Sequence, residues 1–168
     1  MPIVLVRIDD RLIHGQIVEG WLKPMRANYI AVASDHVAKD RSQQILLSMA
    51  VPSTIKVSSF SVDEAAKKIS EGYFEKERVL LLLSGPKDVL RLLTGGVKLS
   101  SVNVGGMHYT SGKKQILRTL SVDKNDVLAL KEISQRGVEL EGRVLPMDDK
   151  IDIMEALHKE LGKDLDKI

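Results

Sequence analysis

Residues 3–16 read IVLVRIDDRLIHGQ, an apolar run that is followed at once by a charged segment. The apolar run, residues 3–6, is brief, mostly β-branched and free of polar side chains, which is typical of a buried strand. The charged segment, residues 7–16, therefore begins at the carboxyl end of a first strand. Ligands of open α/β sheets bind at that end of the strands, so we expect the functional site in this segment.

Two arginines, two aspartates and one histidine lie within eight positions of this segment: Arg7, Asp9, Asp10, Arg11 and His14. Arginine neutralises and orients phosphate oxygens through a planar fork of donors, and histidine titrates near neutral pH and can act as a nucleophile. The combination predicts phosphate chemistry at His14, with Arg7 and Arg11 stabilising the charge of the phosphoryl group. The alternative is a surface histidine in front of a helix, with the arginines only forming exposed pairs with the aspartates, worth about 0–1 kcal/mol each.

Gly15 and Gln16 open an apolar pattern of helical spacing that continues to Trp21. The first amides of a helix have no partner within it and favour an anion. We therefore expect the backbone at Gly15 and Gln16 to hold a phosphoryl group on His14. Asp10 has two equally good roles: it would hydrogen-bond one imidazole nitrogen and fix its tautomer, or it would cap the helix.

The chain has 168 residues, of which 43% are hydrophobic and 29% charged, and it contains no cysteine. The length and composition suit one domain over residues 1–168, with a tail from about residue 159 that frays. The absence of cysteine excludes disulfides and thiolate metal sites. The formal net charge is only +2, and the sequence contains no polybasic block, which argues against nucleic acid as a partner. Arg7 and Asp9 interrupt the first apolar run too early for a signal peptide, and the longest aliphatic run, residues 79–83, is too short to cross a bilayer. We therefore expect a cytoplasmic protein.

Short apolar runs alternate with amphipathic stretches along the chain. Such alternation indicates an α/β fold of βαβ units, with a parallel sheet and right-handed crossovers. The run at 79–83 is apolar on both faces, as a central parallel strand requires. Strands are predicted at residues 3–6, 29–33, 54–57, 78–83, 101–104, 116–121 and 138–144, and helices at 40–50, 62–69, 86–93, 127–133 and 153–161.

A second polar cluster, residues 103–113, reads NVGGMHYTSGK. Its paired glycines, Gly105 and Gly106, follow a predicted strand and would let the backbone approach a bound phosphate closely, but a plain turn gives the same pattern. His108 would be a loop residue or a substrate contact, and less readily a second phosphoryl acceptor. Residues 105–117 lack a helical stripe and form either a functional loop or a turn into a strand that runs against the others. The four histidines have no metal-binding spacing, so we expect neither a metal site nor a cofactor.

Residues 7–16 and the string VNVGGM at 102–107 resemble the enzyme IIB subunits of the bacterial phosphoenolpyruvate-dependent sugar phosphotransferase system, in the mannose, fructose, sorbose and N-acetylgalactosamine branch. The resemblance extends from residue 3 to about residue 157. It implies a single open, mostly parallel sheet of about seven strands with helices on both faces. It also implies that Nδ1 of His14 accepts a phosphoryl group from a histidine of a IIA domain, with Arg11 taking part, and passes it to a sugar held by the membrane subunits IIC and IID.

One position departs from this family. Many members carry an arginine in the helix after the second strand, at the position occupied here by Gln43. This chain has Arg41 two residues earlier. Either Arg41 substitutes from a neighbouring turn, or the site lacks that charge.

Two further interpretations remain open at the level of sequence. In the first interpretation, the chain is a non-catalytic module. It would bind a sugar phosphate or a nucleotide through the same arginines, with His14 as a hydrogen-bond donor only. In the second, an apolar patch near Trp21 would support a homodimer, although a partly buried anchor in the fold is the more ordinary role for this tryptophan.

Overall fold

The structure, a computed structural model, describes residues 2–165. Of the helices in this part of the chain, none has the length and apolarity needed to cross a bilayer. The strands are β1 (Ile3–Asp9), β2 (Tyr29–Ala33), β3 (Lys56–Phe60), β4 (Val79–Leu83), β5 (Ser101–Gly106), β6 (Lys114–Leu117), β7 (Leu120–Val122), β8 (Glu139–Gly142) and β9 (Ile151–Asp152). The helices are α1 (Asp35–Ala38), α2 (Arg41–Met49), α3 (Val62–Ser70), α4 (Pro86–Thr94), α5 (Lys124–Gln135) and α6 (Ile153–Leu161), with a π-helix at Gln16–Trp21 and a 3-10 helix at Gly162–Asp164.

Seven strands form one sheet in the order β3-β2-β4-β1-β5-β8-β9. Its pairings are parallel except for that of β8 with β9, which is antiparallel. The remaining strands, β6 and β7, form a separate antiparallel hairpin. The predicted fold class, an open and mostly parallel α/β sheet flanked by helices, is confirmed. β1 lies in the middle of this sheet between β4 and β5, so its carboxyl end opens at the centre of one sheet edge.

Three predicted strands differ from the structure in an informative way. The strand predicted at 116–121 is the β6–β7 hairpin, and the short β9 takes its place as the seventh strand of the sheet. The strand predicted at 54–57 is β3, at Lys56–Phe60, because Ser58 and Ser59 interrupt the apolar run before Phe60. β1 continues to Asp9 instead of ending at residue 6, so part of the charged segment is a buried strand rather than a loop.

The sheet separates two apolar cores, and the central strand β4 contributes to both. Val79, Leu81 and Leu83 belong to the core that also contains side chains of α3, α4, α5 and α6. Leu80 and Leu82 belong to the core on the other face. This division follows from the two-residue period of a strand, and it explains why β4 is apolar throughout.

The second core fixes the segment that follows β1. Leu12 and Ile13 of the loop and Ile17 of the π-helix are each 6% exposed or less and lie in this core. Burying an aliphatic side chain stabilises a fold by about 1.5–3 kcal/mol. The loop that carries His14 is therefore anchored on the sheet by its apolar residues.

Trp21 lies at the end of the π-helix and is fully buried. Its indole Nε1 donates to the carbonyl oxygen of Val144 at 2.8 Å. The guanidinium carbons of Arg7 and Arg143 lie 5.2 and 5.4 Å from the centre of its ring. The prediction of a partly buried anchor understated its burial, and Trp21 itself contributes no exposed surface to the suggested dimer patch.

A bulge at Gly105 brings β5 unusually close to a side chain of β1. Ile8 pairs with Val104 and Asp9 pairs with Gly106, which leaves Gly105 as the extra residue. A Cβ atom at position 105 would lie 1.9 Å from Cζ of Arg7. Only glycine therefore fits beside this guanidinium group.

Replacing Gly105 with alanine should lower the free energy of unfolding by about 3–5 kcal/mol, the range observed when a buried ion pair is broken, because the new methyl group would displace Arg7 from its partners. Urea unfolding followed by circular dichroism measures the loss. The matched control is Gly15→Ala, where a Cβ meets no atom within 4 Å and φ is −53°. That variant should change stability by less than about 1 kcal/mol; equal losses in the two variants would contradict the explanation.

Candidate functional site

The carboxylate of Asp9 is the centre of the candidate site. It lies at the end of β1, is fully buried and binds three side chains. Arg7 Nη2 contacts Oδ2 at 3.1 Å, and Arg11 contacts both oxygens through Nε and Nη2 at 3.1 Å each. His14 Nε2 lies 2.9 Å from Oδ2. One carboxylate therefore joins both arginines of the charged segment to its histidine.

The loop between β1 and the π-helix presents a row of backbone donors. Leu12 adopts a left-handed conformation, with φ of 59°, and its amide donates to the carbonyl of Asp9 at 2.9 Å. The amides of Ile17 and Val18 both donate to the carbonyl of His14. The amides of residues 13–16 have no acceptor in the part of the chain that the structure describes. The amides of Gly15 and Gln16 therefore have no partner within the described residues, as the sequence predicts for the first amides of a helix.

The two ring nitrogens of His14 differ in their surroundings. An ionised carboxylate is only an acceptor, so the contact of Nε2 with Asp9 requires the proton to be on Nε2. Nδ1 has no hydrogen-bond partner among residues 2–165, and it is not one of the buried polar atoms that lack a partner. The side chain is 17% exposed. Nδ1 therefore holds a free lone pair that reaches solvent.

Burial and charge together keep the imidazole neutral. Burial lowers the pKa of His14, the hydrogen bond and charge of Asp9 raise it, and the charges of Arg11 and Arg7 lower it, which leaves the pKa below the ordinary value of 6.5. Burial raises the pKa of Asp9, but its hydrogen bonds with Arg11 and His14 and the charge of Arg7 outweigh this and hold that pKa below its usual range. At neutral pH the site contains an ionised Asp9 and a neutral His14.

Arg7 does not line the surface of the site, contrary to the sequence prediction. Its side chain is fully buried, because residue 7 lies within β1 rather than in a loop. Its Nη2 binds Asp9, and its Nη1 donates to Oδ1 of Asn103 at 2.7 Å and to the carbonyl oxygen of Arg143 at 3.0 Å. Arg7 therefore supports Asp9 from beneath instead of touching a bound phosphoryl group.

Asp10 does not hold the imidazole of His14, and it does not cap the helix. Its carboxylate binds His108 instead, accepting from the backbone amide at 2.7 Å and contacting Nδ1 at 2.5 Å. Successive side chains of a strand point to opposite faces, so Asp9 shares a face with Arg7 whereas Asp10 turns outward. The role predicted for Asp10 belongs to Asp9, and His108 ties the loop after β5 to the loop after β1.

Gly105 and Gly106 give room to side chains of the protein. Gly105 accommodates Arg7 at the bulge, and a Cβ on Gly106 would lie 3.1 Å from Oδ1 of Asp9. The carbonyl oxygen of Gly106 accepts from the amide of Asp10 at 3.0 Å. The paired glycines thus allow β5 to pack against the network around Asp9.

Arg11 is the cationic side chain at the surface of this network. It is 36% exposed and also donates from Nη2 to Oε1 of Gln16 at 3.2 Å. A cavity of about 320 Å³ lies beside it. The turn of the β6–β7 hairpin forms one wall and adds Arg118, a residue for which the sequence gives no functional signal. The cavity is lined by Arg11, Gln16, Gly106, Met107, His108, Tyr109, Gln115, Arg118, Thr119 and Ser121.

The other residues considered from sequence lie apart from this centre. Arg41 begins α2 and lines a different cavity, bounded by that helix and β3. His36 lies 3.9 Å from Asp40 at the surface, and Nδ1 of His158 contacts the carbonyl of Met154 in α6. Among residues 2–165, no three histidine or acidic side chains form a group that could hold a metal ion.

His14 should titrate with a midpoint below 6.5, because burial and the two guanidinium groups outweigh Asp9. The Asp9→Asn variant removes the counter-charge and should lower that midpoint further. Ring shifts of His14 measured by NMR against pH test both statements, with His14→Ala assigning the signals. The unfolded chain binds this proton more readily than the folded one, so the histidine makes the fold less stable as the pH falls below 6.5. A midpoint at or above 6.5, or a rise in Asp9→Asn, would be inconsistent with this balance of charges.

Comparison with known proteins gives a consistent result. The family model described as PTS system sorbose subfamily IIB component matches residues 3–167. The fructose-specific EIIB component of Bacillus subtilis (strain 168) is 40% identical over 157 residues, which cover 94% of this chain and 96% of that protein. The crystal structure of the IIBSor domain of the sorbose permease from Klebsiella pneumoniae superimposes with a TM-score of 0.89 at 36% identity, covering 95% of this chain and 98% of that one.

A third relative is longer than this chain. The mannose-specific EIIAB component of Escherichia coli (strain K12) is 42% identical over 159 residues, which cover 95% of this chain but 49% of that protein. The chain therefore spans about half the length of this curated relative. The match of the family model and the near full-length relatives at this identity show that the chain belongs to the sorbose subfamily of phosphotransferase-system IIB components.

Proposed function

We propose that this chain is a phosphoryl carrier, in which Nδ1 of His14 accepts a phosphoryl group from a IIA domain and passes it to a sugar at the membrane subunits IIC and IID. The observation that carries the proposal is the 2.9 Å contact between Nε2 of His14 and Oδ2 of the fully buried Asp9. This contact places the ring proton on Nε2 and leaves Nδ1 as an accessible nucleophile.

The transfer follows from the tautomer. The lone pair of Nδ1 attacks phosphorus in line, the bond from phosphorus to the donor histidine breaks, and its electron pair returns to the donor nitrogen. The His14 ring then carries a positive charge, because Nδ1 is phosphorylated and Nε2 keeps its proton. The ionised carboxylate of Asp9 stabilises that charge across the existing hydrogen bond, as an orienting aspartate does for a catalytic histidine.

Arg11 and the loop amides supply the positive field for the phosphoryl oxygens. Arg11 is partly exposed beside His14 and held in place by Asp9 and Gln16. The free amides of residues 13–16 add four donors on the same loop. Fixed donors of this kind stabilise charge in a transition state without having to reorganise.

Onward transfer uses the same atoms in reverse. A hydroxyl oxygen of the sugar attacks phosphorus, the bond between phosphorus and Nδ1 breaks, and Nδ1 regains its lone pair. The hydroxyl proton leaves to a base on the membrane subunit or to water. The names of the relatives specify mannose, fructose and sorbose, so we propose a hydroxyl of a hexose as the acceptor.

Two partners in turn would have to reach the loop that carries His14. A Cβ on Gly15 would meet no atom within 4 Å, so the backbone next to His14 is open to an approaching protein. The mannose relative is named an EIIAB component, which supports a IIA unit as the donor. A carrier that passes the phosphoryl group from a IIA domain to a membrane subunit would act at the cytoplasmic face of the membrane. Its contacts with each partner would be transient and of modest area.

Incubation with phosphoenolpyruvate, the general phosphotransferase proteins and a IIA domain should place one acid-labile, alkali-stable phosphate on the protein. The His14→Ala variant should acquire none, because it lacks the nucleophile. Intact-mass spectrometry and acid and alkali treatment measure the outcome. His36→Ala removes an exposed histidine that makes only a 3.9 Å surface contact, and it should be labelled like the wild type.

Label that survives in a folded His14→Ala variant would refute the assignment of the carrier residue. A wild-type protein that takes no label but binds a phosphorylated metabolite tightly would instead indicate a non-catalytic binding module.

A further inference from the structure

Three polar side chains lie side by side across the middle of the sheet, beneath the site. The parallel register pairs Arg7 of β1 with Asn103 of β5, and Asn103 with Glu141 of β8. All three are at most 4% exposed. Burying these three polar side chains costs desolvation energy that apolar side chains would avoid. Their presence inside the sheet therefore needs a physical explanation.

Asn103 connects a side chain that only donates to one that only accepts. Its Oδ1 accepts from Nη1 of Arg7 at 2.7 Å, and its Nδ2 donates to Oε1 of Glu141 at 3.2 Å. Arginine has no acceptor and an ionised glutamate has no donor. The two neighbours therefore allow only one orientation of the Asn103 amide, with oxygen toward Arg7.

The far end of this row is itself fixed. Arg143 binds both oxygens of Glu141, from Nε at 3.0 Å and from Nη2 at 2.8 Å. A bidentate pair of this kind holds the carboxylate in one plane. Glu141 is thus a stable acceptor for Asn103.

Arg7 is the link between this row and Asp9, and it depends on its two terminal nitrogens. Its Nη2 binds Oδ2 of Asp9, the same oxygen that contacts Nε2 of His14. Its Nε is the one buried side-chain nitrogen or oxygen within residues 2–165 that has no partner. Its Nη1 donates to the carbonyl oxygens of Arg143 at 3.0 Å and Val144 at 3.4 Å, and at the shorter distance of 2.7 Å to Asn103. Asn103 is thus the one side chain among these acceptors, and it helps to fix where Arg7 places Nη2.

We propose that Asn103 is a positioning residue for His14, acting through Arg7 and Asp9 to hold the imidazole in the Nε2–H tautomer with Nδ1 free. Asn103 itself touches neither His14 nor the phosphoryl group. Its effect on the rate of transfer rests on the function proposed above, whereas its effect on the tautomer does not.

The test is long-range ¹H–¹⁵N correlation of the His14 ring in the unphosphorylated protein, together with the rate of labelling from phosphorylated IIA. Asn103→Ala should convert the single Nε2–H tautomer of the wild type into a mixture. It should also slow labelling by about tenfold or more, by analogy with the loss of the outer partners that orient a metal-ligating histidine. Ser101→Ala, an exposed position on the same strand, is the matched control and should change neither quantity.

Glu141→Gln is a second variant with nearly the same volume, for the case that Asn103→Ala does not fold. An amide at position 141 presents a donor as well as an acceptor, so the orientation of Asn103 is fixed by Arg7 alone, and a smaller shift in the same direction is expected. Wild-type tautomer in either variant, once it is shown to be folded, overturns the proposal whatever the labelling rate. A shifted tautomer with an unchanged labelling rate would support the positioning of His14 and overturn the predicted effect of Asn103 on transfer. Failure of the wild-type protein to be labelled would refute the carrier function alone, since the tautomer is measured without phosphate.

Discussion

The buried carboxylate of Asp9 is the interaction on which the rest of the site depends. Removing a carboxylate from water costs several kcal/mol even after the protein relaxes, and here two guanidinium groups and an imidazole offset that cost. The arrangement requires Arg7 inside the sheet, which in turn requires a bulge and a glycine in the neighbouring strand. The local shape of β1 and β5 is therefore a consequence of one buried negative charge.

The same carboxylate decides what His14 can do. By accepting from Nε2 it selects which nitrogen is free, and by being ionised it prepares the ring for the positive charge that phosphorylation would create. Burial and, to a smaller extent, the two arginines work in the opposite sense, because they lower the pKa of the free imidazole and so keep it neutral and nucleophilic. The arginines differ in place: Arg7 is enclosed beneath Asp9, whereas Arg11 reaches solvent beside the histidine. The site thus separates a fixed internal charge from one that is available to an incoming phosphoryl group.

Sequence patterns predicted the parts of this structure that depend on local composition. The apolar runs gave the central strands, and the charged segment after the first run gave His14 and Arg11. The choice between Asp9 and Asp10 was within reach, since the two-residue period of a strand already puts Asp9 on the face of Arg7. A first strand that ends at residue 6, where the unbroken apolar run stops, does not include Asp9 and so does not reveal this shared face. The bulge at Gly105, the pairing of Asn103 with Arg7 and Glu141, and the position of Arg118 at the cavity all depend on strand register or on contacts between distant segments, which no local pattern records.

The most direct test of the central claim is to identify the phosphorylated nitrogen by NMR of the phosphorylated protein labelled with ¹⁵N in its histidines. If Asp9 fixes the tautomer as the structure indicates, phosphorus couples to Nδ1 of His14, and Nε2 carries a proton that exchanges slowly because it is bonded to the carboxylate. Phosphorus on Nε2 of His14 would contradict the account, because that nitrogen would then have to leave Asp9 before it could react.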